Sequence, residues 1–238
     1  MSKNNFIGLA VVFVAGLIVG VFIGKGNIYQ WLKSPSSSKI VYQYSFAGEG
    51  IDTVGPFALA DGLVFINIKN QAGPNDYLGA NFYFDKDGNG KRGDGDEWLD
   101  QLINVGYGDA EAFNGTIPMK VSAGNHFIDI DGARWQIEVM QPALSDKPAK
   151  QFSSAKGRGP QVTEMFYLDE GEYKFRATNN GSSNFIVYLV DDRGNYSRRL
   201  VNEIGEFDSD FTVKVVMPGN YLFYVYSNGD WKIEPAAE

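Results

Sequence analysis

The chain contains no cysteine and a single histidine, His126, among its 238 residues. The absence of cysteine excludes disulfide bonds, thiol catalysis, thiolate metal sites and lipid attachment through an N-terminal cysteine. With one histidine and no pair of carboxylates at a recognisable spacing, the sequence also lacks the usual groups for acid–base catalysis. We therefore expect a protein that is not an enzyme.

Positive charge and helical periodicity are also scarce. The 21 lysines and arginines against 29 aspartates and glutamates give a net charge of −8, which argues against binding nucleic acid through a basic face. After residue 40 no segment has a long helical period, while 14% of all residues are aromatic and glycines separate short β-branched runs. The sequence predicts an all-β protein without a nucleic-acid partner.

One long apolar run occupies residues 6–24, with the sequence FIGLAVVFVAGLIVGVFIG and 19 uncharged residues. As a helix it would be about 28 Å long, which matches the hydrocarbon core of a bilayer. A cleavable signal peptide, the alternative, has a shorter apolar run and a small-x-small cleavage site, and no good site follows this run. We expect an uncleaved transmembrane helix as an anchor over residues 1–33 and a flexible linker, SPSSS, over 34–38.

Glycines within that run predict how the anchor packs. Gly16, Gly20 and Gly24 recur at every fourth position, so on a helix they form one stripe that lets another helix backbone approach closely. The partner would be a membrane protein subunit or a second copy of the chain; alternatively, the glycines reflect their general frequency in membrane helices. A count of positive charges, with Lys3 before the run and three lysines after it, would place the C-terminal part inside the cell. Long domains, however, translocate largely regardless of flanking charge, so we expect the C-terminal domains on the periplasmic or extracellular side of the cell envelope.

Six short motifs recur in the same order in two halves of the remaining chain. In pairs, they are FALADG and FYLDEG, ANF and SNF, DKDGN and DDRGN, LIN and LVN, AGNHF and PGNYL, and WQIE and WKIE. Such repetition indicates a duplication, with domains at 39–144 and 152–238 joined by a linker at 145–151. Non-helical units of this size usually form two packed antiparallel sheets, so we expect two tandem jelly-roll-like β-sandwiches.

The end of each repeat predicts a hairpin. A DG pair precedes Trp135 and an NGD motif precedes Trp231, and both motifs are typical of tight turns between antiparallel strands. Each tryptophan would then lie on a final strand and face inward, together with the isoleucine two residues further on.

The second half carries the pattern F-x-L-x-x-G-x-Y-x-F, then NFIVYLVDDRGN, then VVMPGNYLFYVYSNGDWKIE. This pattern resembles the bacterial pre-peptidase C-terminal type of β-sandwich, in which a buried strand ends in an Asp/Gly turn and a P-G-x-Y strand precedes the last hairpin. The resemblance covers almost everything after the linker and is closer in the second half than in the first. It implies an accessory, non-catalytic extracellular module and transfers no catalytic residues.

An acidic insertion distinguishes the first copy from the second. Residues 84–98 read FDKDGNGKRGDGDEW, where the second copy has only DDRGNYSRR. Oxygen atoms at alternate positions can converge on one hard cation, and the spacing fits an EF-hand-like calcium loop with Gly90 at the sharp turn. The predicted calcium ligands are Asp85, Asp87, Asn89, Lys91 through its carbonyl, and Asp96.

Several alternatives to this calcium site stay open. Asp96 stands where glutamate is usual, so the affinity should be modest, and a strand rather than a helix precedes the loop. Asp94 and Glu97 are alternative ligands, and a solvated acidic hairpin without a metal is the alternative to the whole site. His126 aligns with Tyr221 of the other copy on a core-facing strand position, so we expect it to be structural.

Strand alternation predicts a partner surface in the second copy. In YLFYVYSNG, alternate residues face opposite sides, so that Leu222, Tyr224 and Tyr226 would point outward. The matching strand of the first copy, HFIDIDG, has aspartates on that side. Two tyrosines and a leucine form an amphipathic patch suited to a protein or a glycan; the alternative is that they pack against the first domain.

Two functions therefore remain open. The first is a membrane-anchored accessory subunit that is not catalytic and whose two β-sandwiches bind a protein partner. The second is a calcium-dependent module that binds glycans or cell wall. Co-purification with membrane subunits would favour the first, and binding to a glycan array would favour the second.

Overall fold

A computed structural model describes residues 40–70, 77–105, 114–145 and 147–236. These residues form fifteen β-strands and include no helix that is long and apolar enough to cross a membrane. The all-β prediction is confirmed for this part of the chain. The predicted anchor, its glycines Gly16, Gly20 and Gly24, and the linker at 34–38 lie outside the described residues.

Six strands form the first half: β1 Ile40–Leu59, β2 Gly62–Asn70, β3 Leu78–Phe84, β4 Glu97–Val105, β5 Asn114–Val121 and β6 Gly124–Pro142. The strands β1 and β6 are antiparallel and pair along almost their whole length. The second part of β6 also pairs with β2, which pairs with β5. The first part of β6 pairs with β3, which pairs with β4. The long strand β6 therefore takes part in two layers: its second part lies with β2 and β5, and its first part lies with β3 and β4. The strand β1 pairs with β6 in both layers.

Nine shorter strands form the second half: β7 Ala155–Arg158, β8 Gln161–Val162, β9 Phe166–Leu168, β10 Gly171–Asn179, β11 Asn184–Asp191, β12 Tyr196–Ile204, β13 Phe207–Val215, β14 Gly219–Tyr226 and β15 Asp230–Pro235. One sheet has the order β13-β10-β15-β7, and the other has the order β12-β11-β14-β8, with β9 also paired to β14. All these pairings are antiparallel.

The two halves have the same arrangement of strands. The pairings β2–β5 and β3–β4 recur as β10–β13 and β11–β12. The strand β6 takes the place of both β14 and β15, since its two parts pair with β3 and β2 as those strands pair with β11 and β10. The chain thus contains tandem β-sandwich units, as the repeated motifs predict, while their boundaries at 39–144 and 152–238 stay predictions.

The hairpin predicted before Trp135 is wrong. The strand β6 passes through the DG motif without a turn, because β1 pairs with it on both sides of the motif and a bulge at residues 48–50 accommodates the bend. In the second half, residues 227–229 do separate two strands, but these strands, β14 and β15, lie in different sheets and do not form a hairpin. The repeated motif therefore marks the point where the chain crosses from one sheet to the other.

The inward orientation predicted for the two tryptophans is confirmed. Trp135 and Trp231 are 2% and 4% exposed, and their indole nitrogens donate to the carbonyls of Gly50 at 3.1 Å and Gly159 at 2.9 Å. Both of these glycines have a φ of 72°, which side chains other than glycine rarely adopt. Gly50 lies within β1, whereas Gly159 lies between β7 and β8, so the equivalence of the two glycines is visible in the fold and not in the sequence.

A broad apolar contact joins the two sandwiches. Val190, Leu222 and Tyr224 of the second half belong to the same buried cluster as the core of the first half. Polar bonds surround the contact: the Tyr196 hydroxyl donates to the Pro118 carbonyl, and the Lys120 ammonium donates to the Asn195 side chain at 2.8 Å. The second sandwich therefore closes the open side of the first sandwich between β4 and β5.

This contact corrects the outward patch predicted from strand alternation. Leu222 is fully buried and Tyr224 is 9% exposed, while Tyr226 is 39% exposed. The alternation itself is as predicted, since Phe223 and Val225 face the core of the second sandwich. What lies outside that sandwich, however, is the first sandwich rather than solvent, so the alternative of packing against the first domain holds for Leu222 and Tyr224. Leu222 and Tyr224 are therefore unavailable to a separate partner.

Candidate metal centre

The acidic loop connects β3 to β4 and is anchored by Asp85. The Asp85 backbone nitrogen donates to the carbonyl of Asn125 at 2.9 Å, which ties the loop to the start of β6. One carboxylate oxygen, Oδ2, accepts the Gly90 amide at 3.0 Å and the Asn125 side chain at 3.4 Å. Gly90 has a φ of 70°, so the sharp turn falls at the predicted glycine.

The outer part of the loop holds itself together with short local bonds. Asp87 accepts the backbone and side-chain nitrogens of Asn89 at 3.0 and 2.6 Å, and the Asn89 oxygen accepts the Lys91 amide at 2.6 Å. Asn89 and Lys91 are both exposed. The oxygen that Asn89 would offer to a cation is thus occupied by a backbone amide in this arrangement.

Three of the predicted ligands come together. One carboxylate oxygen from each of Asp85, Asp87 and Asp96 lies within 4.8 Å of one from each of the other two. Of the alternative ligands, Glu97 pairs instead with Lys86 at 3.3 Å, and Asp94 is exposed and outside this group. The spacing of Asp85, Asp87 and Asp96 that the sequence singled out therefore corresponds to a real cluster of oxygens.

Two of these carboxylates are buried with an oxygen left unpaired. Asp85 is 4% exposed and the side chain of Asp96 is 1% exposed. Their Oδ2 atoms accept loop amides, from Gly90 and from Gly93 at 2.7 Å. Their Oδ1 atoms are buried and have no hydrogen-bond donor among the described residues. A buried oxygen without a donor costs free energy, and a bound cation would remove that cost.

The charge state of Asp85 suits a cation. Burial raises the pKa of Asp85, but several hydrogen bonds, led by those from the Gly90 amide and the Asn125 side chain, together outweigh burial and hold the pKa below its usual value. Asp85 is therefore ionised at neutral pH and its unpaired oxygen carries negative charge.

Arg92 contacts the acidic loop, although the sequence did not single it out. Its guanidinium forms ion pairs with Asp96 at 3.4 Å and Asp129 at 3.2 Å, and it lies 3.4 Å from the centre of the Tyr83 ring. Arg92 thus joins the loop to two strands of the sheet beneath it. An arginine inside an acidic loop is the signal that could have indicated this contact.

The corresponding loop of the second copy provides a natural contrast. Both oxygens of Asp191 are occupied, Oδ1 by the Arg193 and Asn195 amides and Oδ2 by the Asn195 side chain. No buried unpaired oxygen occurs there among the residues that the structure describes. This loop is the plain turn that the sequence predicts, and it uses Asn195 to contact the first sandwich.

His126 lies outside this cluster and in the core, as predicted. It is fully buried and packs against the rings of Phe57, Phe82 and Phe84. Burial lowers the pKa of His126 to about 4, so the ring is neutral at physiological pH. These contacts are those of a packing residue rather than of a metal ligand.

Comparisons with known proteins show no family. No protein-family model matches the sequence, and no curated protein matches it. Among solved structures, the chain is similar to the tandem CBM22 carbohydrate-binding modules of Paenibacillus barcinonensis Xyn10C, with 9% identity over 85% of this chain and 88% of that chain and a TM-score of 0.26. It is also similar to the PBSX exported protein XepA, with 6% identity over 83% and 85% and a TM-score of 0.28.

A third similar structure is a fucolectin from the serum of the striped bass, Morone saxatilis, with 10% identity over 97% of both chains and a TM-score of 0.23. All three likenesses have TM-scores far below 0.5. They therefore leave the function to be argued from the residues of this chain.

Proposed function

We propose that the protein is a non-catalytic accessory module whose first β-sandwich binds one calcium ion in the loop between β3 and β4. The observation that supports this is the pair of buried, unpaired carboxylate oxygens of Asp85 and Asp96, with Asp87 beside them. These three carboxylates would hold the ion, and loop carbonyls and water would complete its shell. Bound calcium would join the two ends of the loop.

Calcium fits this loop better than magnesium does. Magnesium demands six ligands at about 2.1 Å in near-ideal octahedral geometry, while calcium accepts six to eight oxygens in irregular arrangements. A loop that offers carboxylates at its two ends and backbone carbonyls between them suits the larger ion. Arg92, which carries a positive charge 3.4 Å from an Asp96 oxygen, would keep the affinity modest by charge repulsion.

Thermal unfolding of the full chain in a mild detergent tests this proposal. Calcium at 100 times its dissociation constant stabilises a folded protein by about 2.7 kcal/mol. For a cooperative unit of about 150–250 residues, this raises the midpoint of thermal unfolding by roughly 5–11 °C. Asp85→Asn and Asp96→Asn should abolish the increase. Asp191→Asn, at the matching position of the second copy, should retain it. An unchanged midpoint of the unmodified chain in millimolar calcium would reject the site.

We further propose that residues 1–33 anchor this module in a membrane of the cell envelope, with the sandwiches on the periplasmic or extracellular side. The support is the uncharged run at 6–24 and its glycine stripe. Gly20→Leu should then reduce the recovery of partner subunits or of self-associated chains from detergent extracts, because the larger side chain separates helix backbones. Leu17→Ala is a matched control off the stripe. Equal recovery with Gly20→Leu would show that the stripe is incidental.

A further inference from the structure

The same sheet face has different surroundings in the two sandwiches. In the second sandwich, the face made by β11, β12 and β14 packs against the first sandwich. The residues that form it are Tyr188, Val190, Tyr196, Leu222 and Tyr224. Strand pairing sets Tyr196 opposite Val190, Val190 opposite Leu222, and Tyr188 opposite Tyr224.

The equivalent face of the first sandwich can be identified from the same pairings. Trp98 is opposite Tyr83, Tyr83 is opposite Phe127, and Asn81 is opposite Asp129. Trp98 therefore takes the place of Tyr196, the residue that reaches across to the first sandwich. We call this surface the Trp98 face. It consists of Asn81, Tyr83, Trp98 and Asp129, with Arg92 above Tyr83, and it includes the buried Phe127.

The chemistry of the Trp98 face differs from that of its counterpart. Trp98 is 56% exposed, although a ring of this size buries a large apolar area when it is covered. Asn81 and Asp129 stand where the second sandwich has the stacked tyrosines 188 and 224. Asp129 accepts the Thr53 hydroxyl at 2.7 Å and is ion-paired with Arg92. The face therefore combines one exposed aromatic plane with fixed polar groups.

These polar groups argue against a partner of the kind that covers the second sandwich. An open, apolar sandwich edge placed here would bury Asp129 and Arg92 without offering them new hydrogen bonds, which is costly. A ligand with an apolar face and hydroxyl groups around its rim avoids that cost. Such a ligand can stack on the indole while its hydroxyls bond to amide, carboxylate and guanidinium groups.

We propose that the Trp98 face binds a neutral carbohydrate chain. A sugar ring stacks its C–H face on the Trp98 indole, and neighbouring hydroxyls bond to Asn81 and to the Asp129–Arg92 pair. This inference rests on the proposed calcium site in one respect: the loop ends at Asp96, two residues before Trp98, so a bound ion fixes the start of the strand that carries the indole. Calcium would strengthen sugar binding without touching the sugar.

The test is an array of neutral gluco-, xylo-, manno- and chito-oligosaccharides probed with the full chain in detergent, with and without calcium. The strongest hit is then titrated into variants. Trp98→Ala should weaken binding by about tenfold or more, since it removes a stacked aromatic contact, and Asn81→Ala should weaken it as well. Ile204→Ala removes an even more exposed apolar side chain, 79% exposed, from the second sandwich and should have no effect.

The outcomes separate this inference from the proposed calcium site. Binding that depends on Trp98 but not on calcium supports the sugar site even if the ion proposal fails. A calcium-dependent rise in the unfolding midpoint with no oligosaccharide bound overturns the sugar site and leaves the ion proposal standing. Sugar binding that survives Trp98→Ala overturns it too, as does a protein partner whose capture requires Trp98 while every oligosaccharide fails.

Discussion

Leu222→Ala should weaken the contact between the two sandwiches and lower the free energy of unfolding. Leu222 is fully buried, yet it faces the first sandwich, while Phe223 and Val225 beside it form the core of the second. Truncating a buried leucine to alanine costs about 2–5 kcal/mol, depending on the cavity that remains. A loss of about 3 kcal/mol lowers the unfolding midpoint of a unit of 150–250 residues by roughly 6–12 °C.

Scanning calorimetry of the full chain in detergent measures this effect. Because the two units share a buried contact, we expect one cooperative transition for the unmodified chain and a lower or divided transition for Leu222→Ala. Tyr226→Ser removes a side chain that is 39% exposed and lies at the edge of the contact, so it should lower the stability clearly less than Leu222→Ala does. A shift for Leu222→Ala as small as that of Tyr226→Ser would refute the shared contact.

Two further predictions concern the cores. Gly157→Ala should lower the midpoint of thermal unfolding by several degrees, because the added methyl group would lie 2.5 Å from the Trp231 ring and overpacking costs about 1–3 kcal/mol. Gly219→Ala, where the nearest neighbour of the added methyl group lies at 3.7 Å, should be tolerated. Equal effects of both substitutions on the melting curve would contradict the tryptophan contact. Because burial lowers the folded pKa of His126 to about 4 from about 6.5 in an unfolded chain, its contribution to stability is complete above pH 6.5 and is lost as the pH falls towards 4, by roughly 3 kcal/mol in total. Denaturant unfolding at several pH values should show that the stability of His126→Phe depends less on pH than that of the unmodified chain. An unchanged pH dependence would contradict a neutral, buried ring.

The repeat and the strand content could be predicted from the sequence because they depend on local patterns. Motifs at strand ends and turns recur in both halves, and alternation correctly separated inward Phe223 from Leu222. The continuity of β6 could not be predicted, since a DG motif marks a turn only when no neighbouring strand pairs across it. In the first half β1 does pair across it, and that pairing joins residues about 80 positions apart in the chain.

The surroundings of each face were the other part that the sequence did not reveal. Leu222 and Tyr224 point out of their own sandwich as predicted, but a second sandwich lies there, and alternation within one strand carries no information about another domain. At the acidic loop, by contrast, Asp85, Asp87 and Asp96 could be grouped by their spacing in the sequence. The contribution of Arg92 depends on Asp129 of β6, which is distant in sequence.

The most direct test of the calcium proposal is isothermal titration of calcium into the full chain in detergent. We predict binding of one ion per chain, lost in Asp96→Asn because the buried, unpaired oxygen then belongs to a neutral amide, and retained in Asp191→Asn. The absence of binding up to millimolar calcium, or binding of equal strength in Asp96→Asn and the unmodified chain, would contradict the site.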